Sequence, residues 1–166
     1  MARKDPGATV VRFYQMPREG MERGLFNLLG KIYAQAIRSC LVAADATQAV
    51  RWDDLLWTGR IDSFLPHGSC VGDDASVHPI LLCLEPSDIN GATLLILVHG
   101  RFAEEFSRFD MVLDFVTDQT PAGLQSSRDR YRRYRDAGCR MEYWIQEPSS
   151  GWQCKFKSPE TILREG

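Results

Sequence analysis

Two short apolar runs near the start of the chain, Val10 to Tyr14 and Cys40 to Ala43, are separated by one long helical stripe. From Glu19 to Ile37 the apolar side chains fall at Met21, Leu25, Leu28, Leu29, Ile32 and Ala36, the spacing of a single buried helix face. Parallel strands need a crossover of a dozen residues or more. Strand–helix–strand with such a crossover therefore predicts parallel pairing of the two strands in a right-handed βαβ unit.

The rest of the chain extends the same alternation. Asp45 and Thr47 offer N-cap side chains, with Gln48 three residues after Asp45, so a second helix is expected to about Trp57, ended by Gly59. Pro79 to Leu84 and Thr93 to Val98 read as a third and a fourth strand; the latter is apolar throughout, as in a strand buried on both faces. A short helix is expected around Ala103 to Phe106, and a fifth strand over Met111 to Val116. The last long helix spans Gln119 to Ala137, with Gly138 placed to end it. Met141 to Gln146 and Gly151 to Phe156 flank the turn-forming Glu-Pro-Ser-Ser and predict a β-hairpin on a sheet edge. The expected architecture is α/β: a three-layer α/β/α sandwich with a mainly parallel, Rossmann-like sheet of about five strands plus the C-terminal hairpin. Residues 1–156 form one domain in this reading, and 157–166 a polar tail.

Several function classes lose support at once. No G-x-G-x-x-G follows the first strand; Gln15-Met-Pro-Arg-Glu-Gly20 stands where phosphate-cradling glycines would be required. There is no Walker lysine motif and no G-x-S-x-G elbow. His67, His78 and His99 show no metal-ligand spacing, and Asp73-Asp74 alone is too little to define a cation site. Five cysteines at wide spacings contain no C-x-x-C pair, which predicts reduced thiols in a cytoplasm. No apolar run approaches the roughly 18 residues of a membrane span, and the first ten residues lack a secretory core. No catalytic residue, metal or cofactor is assigned.

Charge is unevenly spread although the chain carries only −2 overall. Residues 45–105 hold ten acidic and three basic groups, whereas residues 128–140 hold six arginines and two aspartates. The basic cluster is compact and suggests an anionic partner; a solvated helix face is the other reading. Arg128, Tyr131, Arg132 and Arg135 share one helix face by the i, i+3, i+4, i+7 rule.

Three stretches, taken together, resemble the chi subunit family of bacterial DNA polymerase III. They are Leu55-Leu-Trp57 with Ser63-Phe-Leu-Pro-His67, Phe106-Ser-Arg-Phe109 with Met111-Val-Leu-Asp-Phe-Val116, and Arg128-Asp-Arg-Tyr-Arg-Arg-Tyr-Arg135 with Ala137-Gly138. The resemblance covers roughly residues 9–146. The ending Glu142 to Pro148 with Gly151-Trp152 is similar to an extension in one branch of that family.

The resemblance implies a non-catalytic adaptor, a subunit of a DNA polymerase holoenzyme active in replication. It links the clamp loader to single-stranded DNA-binding protein, meeting DNA only indirectly and membranes not at all. Arg128 and Arg132 match positions that receive the acidic C-terminal tail of that protein. Tyr131 would help floor the site and Arg135 would add a third guanidinium, a group whose fork suits carboxylates. Trp57 and Phe64 match positions that bind the psi subunit of the clamp loader, a surface also open to a helicase. From residue type alone both aromatics are equally at home in a core. Pro66-His67 is expected to fix the intervening loop, and Tyr134 to pack inward. Two other readings stay open. One is a small α/β nucleotide-binding protein or enzyme without the usual fingerprint, for which a deep polar pocket at the carboxyl ends of the strands would speak. The other is a direct DNA binder using the arginine helix, which the overall acidity disfavours.

Overall fold

A computed structural model describes residues 9–16, 19–59, 65–147 and 151–158. Its eight strands are β1 (Val10–Gln15), β2 (Ser39–Val42), β3 (Gly68–Ser69), β4 (Ile80–Cys83), β5 (Leu94–Leu97), β6 (Met111–Val116), β7 (Arg140–Glu147) and β8 (Gly151–Lys157). Three helices accompany them: α1 (Met21–Ala34), α2 (Ala46–Thr58) and α3 (Pro121–Asp136). The strands form one sheet in the order β3-β4-β2-β5-β6-β1-β7-β8. Every pairing is parallel except β7 with β8.

Strict alternation along the strands divides the core in two. Val11, Phe13, Cys40, Val42, Leu95, Leu97, Val112 and Val116 face one way, with Tyr134 of α3 above them. Tyr14, Leu41, Ile80, Leu82, Leu94, Ile96, Leu113 and Phe115 face the other, against Leu25, Phe26, Leu29 and Ile32 of α1 and Trp52 and Leu56 of α2. Helices on both faces of a mainly parallel sheet make the three-layer α/β/α sandwich expected from the sequence.

The five expected strands and both strands of the hairpin are present; the two-residue β3 at the far edge is the addition. The parallel sense of β1 and β2 holds, but they do not pair directly, because β5 and β6 lie between them. A crossover the length of α1 can pass over intervening strands, so its length dictates direction and not adjacency. The short helix expected around Ala103 is instead a 3₁₀ turn at Phe106–Arg108. The hairpin is a true edge element: β7 adds to β1 and β8 ends the sheet. Ser158 hydrogen-bonds back to Met141 at both backbone and side chain, so ordered pairing continues past residue 156. All five cysteines are free thiols. Among the described residues, no helix is long and apolar enough to cross a membrane.

The capping chemistry reads as local sequence dictates. Asp45 accepts from the Gln48 backbone N–H at 2.8 Å, and the Gln48 amide oxygen reaches back to the Ala44 N–H. At the end of α3, Gly138 has φ of 90°, and Cys139 N–H and Gly138 N–H bond to the carbonyls of Tyr134 and Arg135. That is a Schellman closure, and it needs a residue at ease in the left-handed region.

Candidate functional site

Helix α3 starts where Thr120 caps the Gly123 N–H and Pro121 presets the first turn. Its inward face is anchored twice. Tyr134 is fully buried, and its hydroxyl accepts from the Ala103 N–H at 3.1 Å. Arg130 is buried too, and its Nε and Nη2 grip Asp114 at 2.9 and 3.0 Å. Its Nη1 donates to the Gly100 carbonyl and the Ser126 hydroxyl. Burial pushes the Asp114 carboxyl above the usual carboxylate range, and Arg130 pulls it back. The basic cluster is therefore less basic at the surface than its composition suggests.

The other face of α3 brings together all four residues expected there. Arg128, Tyr131, Arg132 and Arg135 line a recess of about 390 Å³ with Leu124 and Ser127 of the same helix. The sheet contributes Phe13, Gln15 and Tyr143. Tyr131 meets Phe13 edge-on, with centroids 5.3 Å apart, and the Tyr143 hydroxyl donates to the Gln15 side chain. Burial raises the Tyr131 and Tyr143 hydroxyls; Arg135 opposes the first shift and Arg128 the second, so both phenols stay neutral near pH 7.

The three guanidiniums differ in commitment. Arg135 pairs with its neighbour Asp136 at 3.1 Å, and Arg132 lies 3.6 Å from Asp129. No carboxylate lies within ion-pair distance of Arg128 among the described residues. An aromatic floor rimmed by cations can take an acidic peptide: the forks meet carboxylates while the floor accepts an apolar side chain. Phe13, Gln15 and Tyr143 could not be read from the helix periodicity, because strand pairing brings them under α3 from distant sequence. The one local hint is that Phe13 alternates with the inward residues of β1.

On the opposite side of the sheet, Trp57 closes α2 with 54% of its surface exposed. Val50, two turns earlier on the helix, is 61% exposed, with Asp53 and Asp54 between the two on the same face. The Trp57 ring meets His67 edge-on at 5.3 Å. His67 is buried, with Nδ1 2.7 Å from the Leu65 carbonyl and Nε2 2.8 Å from the Asp53 carboxylate. It ties the chain after residue 64 to α2, the fixing role expected of it. Phe64 lies outside the described residues.

The carboxyl ends of β5 and β6 carry two recesses. One, of about 570 Å³, is lined by Gly100, Arg101, Phe102, Gln125 and Arg133 among others; a second, of about 270 Å³, includes His99, Asp118 and Ser126. Arg130 lines both, but its donors are already committed to Asp114, Gly100 and Ser126. Burial, then Arg101 and Arg130, depress His99 to about 4, so it is a neutral imidazole near pH 7. Among the described residues, no three His, Cys, Asp or Glu side chains are grouped to hold a metal ion.

Comparison with known proteins gives the family of the chain. Residues 9–142 match the family described as DNA polymerase III chi subunit, HolC. The DNA polymerase III subunit chi of Pseudomonas aeruginosa is 34% identical over 136 residues, 78% of this chain and 92% of that protein. The subunit chi of Escherichia coli is 29% identical over 102 residues, 61% of this chain and 69% of that protein. A probable subunit chi of Rickettsia prowazekii is 26% identical over 85 residues, about half of each chain. The chain belongs to the DNA polymerase III chi subunit family, accessory subunits of the replicative polymerase.

Proposed function

We propose that this chi-family subunit is a non-catalytic adaptor in the cytoplasm that holds the acidic C-terminal tail of single-stranded DNA-binding protein in the α3 groove. Through the Trp57 surface it binds a psi-type subunit of the clamp loader or, alternatively, a helicase. The clamp loader is thereby linked to DNA already coated by that protein, and DNA itself is met only indirectly. The observation that carries this reading is that Arg128, with Arg132 one turn on, lines one recess together with the aromatic side chains of Phe13, Tyr131 and Tyr143. Charge-assisted hydrogen bonds at such a site are worth roughly 1.5–3 kcal/mol each.

The test is a titration of a fluorescent tail peptide against wild type, Arg128→Glu and Arg132→Glu at two salt concentrations. Each reversal is expected to weaken binding at least about tenfold, and wild-type affinity to fall as salt rises. Equal affinities for all three proteins would leave α3 an ordinary solvated face. For the second surface, Trp57→Ala is expected to release the psi-type partner at a cost of about 2 kcal/mol or more without shifting the melting temperature.

A further inference from the structure

Tyr143 of β7 lines the α3 groove, and β8 is the next strand of the sheet. Most of β7 and all of β8 lie beyond the residues matched to the family. Residues paired directly across antiparallel strands share a face. Gln146 pairs with Trp152 and Trp144 with Cys154, on the α1 side, where Trp152 meets Tyr14 at 4.8 Å. Simple alternation would put Phe156 on that side as well. The register shifts between Tyr143 and Trp144, however, so that Lys155 is the extra residue and Phe156 pairs with Tyr143. Such a bulge re-aims the side chains that follow it.

Tyr143 is in register with Phe13 of β1, and both line the groove. Phe156 therefore continues the row Phe13–Tyr143 by one more strand, on the groove side of the sheet. It is 50% exposed, a large aromatic on an edge strand otherwise rich in polar groups. Arg128 acts electrostatically on Tyr143, so cationic charge reaches this part of the row. Adjacent strands are about 4.8 Å apart, which puts Phe156 roughly 10 Å from Phe13, about three residues of an extended peptide.

We propose that Phe156 is a peptide-contact residue that extends the α3 groove across β7 and β8, so that this chain takes an acidic peptide bearing two apolar side chains: one at its carboxyl end and one about three residues upstream. The inference rests on the groove binding such a peptide at all. The occupant follows from continuity with the groove and from the guanidinium rim, which favours an acidic chain over a neutral one.

The experiment titrates fluorescent tail peptides carrying Leu or Ser at the upstream position against wild type, Phe156→Ser, Phe156→Leu and Arg128→Glu. Val71→Ser, on the segment after β3 at the opposite end of the sheet and 89% exposed, is the control. Phe156→Ser is expected to weaken the Leu peptide about fivefold, with the salt dependence of wild type, and to leave the Ser peptide unaffected. Phe156→Leu is expected to retain most of the affinity, which separates lost contact from lost folding. Unchanged binding by Phe156→Ser, with binding lost by Arg128→Glu, overturns the role of Phe156 and leaves the groove reading standing. Equal weakening of both peptides by Phe156→Ser overturns the upstream contact. Full binding by Arg128→Glu overturns the groove reading itself.

Discussion

Arg130 and Arg132 stand two residues apart on α3 and do opposite work. Arg130 is withdrawn from water and saturated by Asp114, Gly100 and Ser126, whereas Arg132 projects from the groove rim with 59% of its side chain exposed. A net charge counted along the sequence treats them alike. The fold does not, because α3 lays one face on the sheet and presents another to solvent. Charge available to a partner is thus a property of the helix face, and the buried arginine contributes to placing the exposed ones.

The largest expected effect tests the buried half of that contrast. Replacing Arg130 by Met leaves Asp114 buried without its guanidinium, and breaking such a pair from one side costs about 3–5 kcal/mol. Urea unfolding should register this as a lower midpoint with an unchanged slope. The double change Arg130→Met with Asp114→Leu should be milder than the single one, since no uncompensated charge remains. A single variant within about 1 kcal/mol of wild type would show that the pair is not the anchor of α3.

Next in size is the second anchor. Tyr134→Phe removes the acceptor for the buried Ala103 N–H. An unsatisfied buried donor costs about 1–3 kcal/mol. The ring would still fill its place against Phe102, Phe106 and Phe13, so loss of the hydroxyl alone is measured. Thermal melts that coincide with wild type would mean that water or another group serves Ala103.

What the sequence disclosed divides along the same line between local and distant contacts. Asp45 and Gly138 announce helix ends because capping is settled within a few residues, whereas the helix expected from Gln119 starts at Pro121 behind its Thr120 cap. The shared face of Arg128, Tyr131, Arg132 and Arg135 follows from helical period alone. The seat of Arg130 needed the knowledge that β6 runs beneath α3. One signal was present: Asp114 interrupts the otherwise apolar Met111 to Val116, and a carboxylate in a buried strand requires a cation from elsewhere. Gly68–Ser69 is too short and polar to show strand periodicity, so β3 was invisible. The aim of Phe156 depends on a bulge that no alternation pattern displays.

The third prediction uses His99, which lies beside the buried arginine. The folded protein holds His99 neutral down to about 4, against an ordinary value of 6.5. Between those values the unfolded chain binds the extra proton, so stability should fall as pH is lowered from 6.5 toward 4. His99→Gln should flatten this part of the stability–pH curve. Equal slopes for variant and wild type would mean that another group governs the window.

The smallest effect compares direct neighbours. Arg132 and Arg133 are about 100° apart around the helix axis. That rotation carries Arg133 out of the groove, to a position 3.7 Å above the Phe102 ring and 2.9 Å from Glu104. Its side chain is 55% exposed, so water screens the ion pair and competes for the guanidinium. An exposed cation–π contact adds about 0.5–1 kcal/mol. Arg133→Ala should therefore lower stability by about 1 kcal/mol or less and leave tail affinity within about twofold, while Arg132→Glu, one position earlier, loses the tail. Isothermal titration with the tail peptide and a melting curve on each variant measure both quantities. If Arg133→Ala weakens the tail as much as Arg132→Glu does, recognition depends on the summed charge of α3 and not on the face that the fold turns outward.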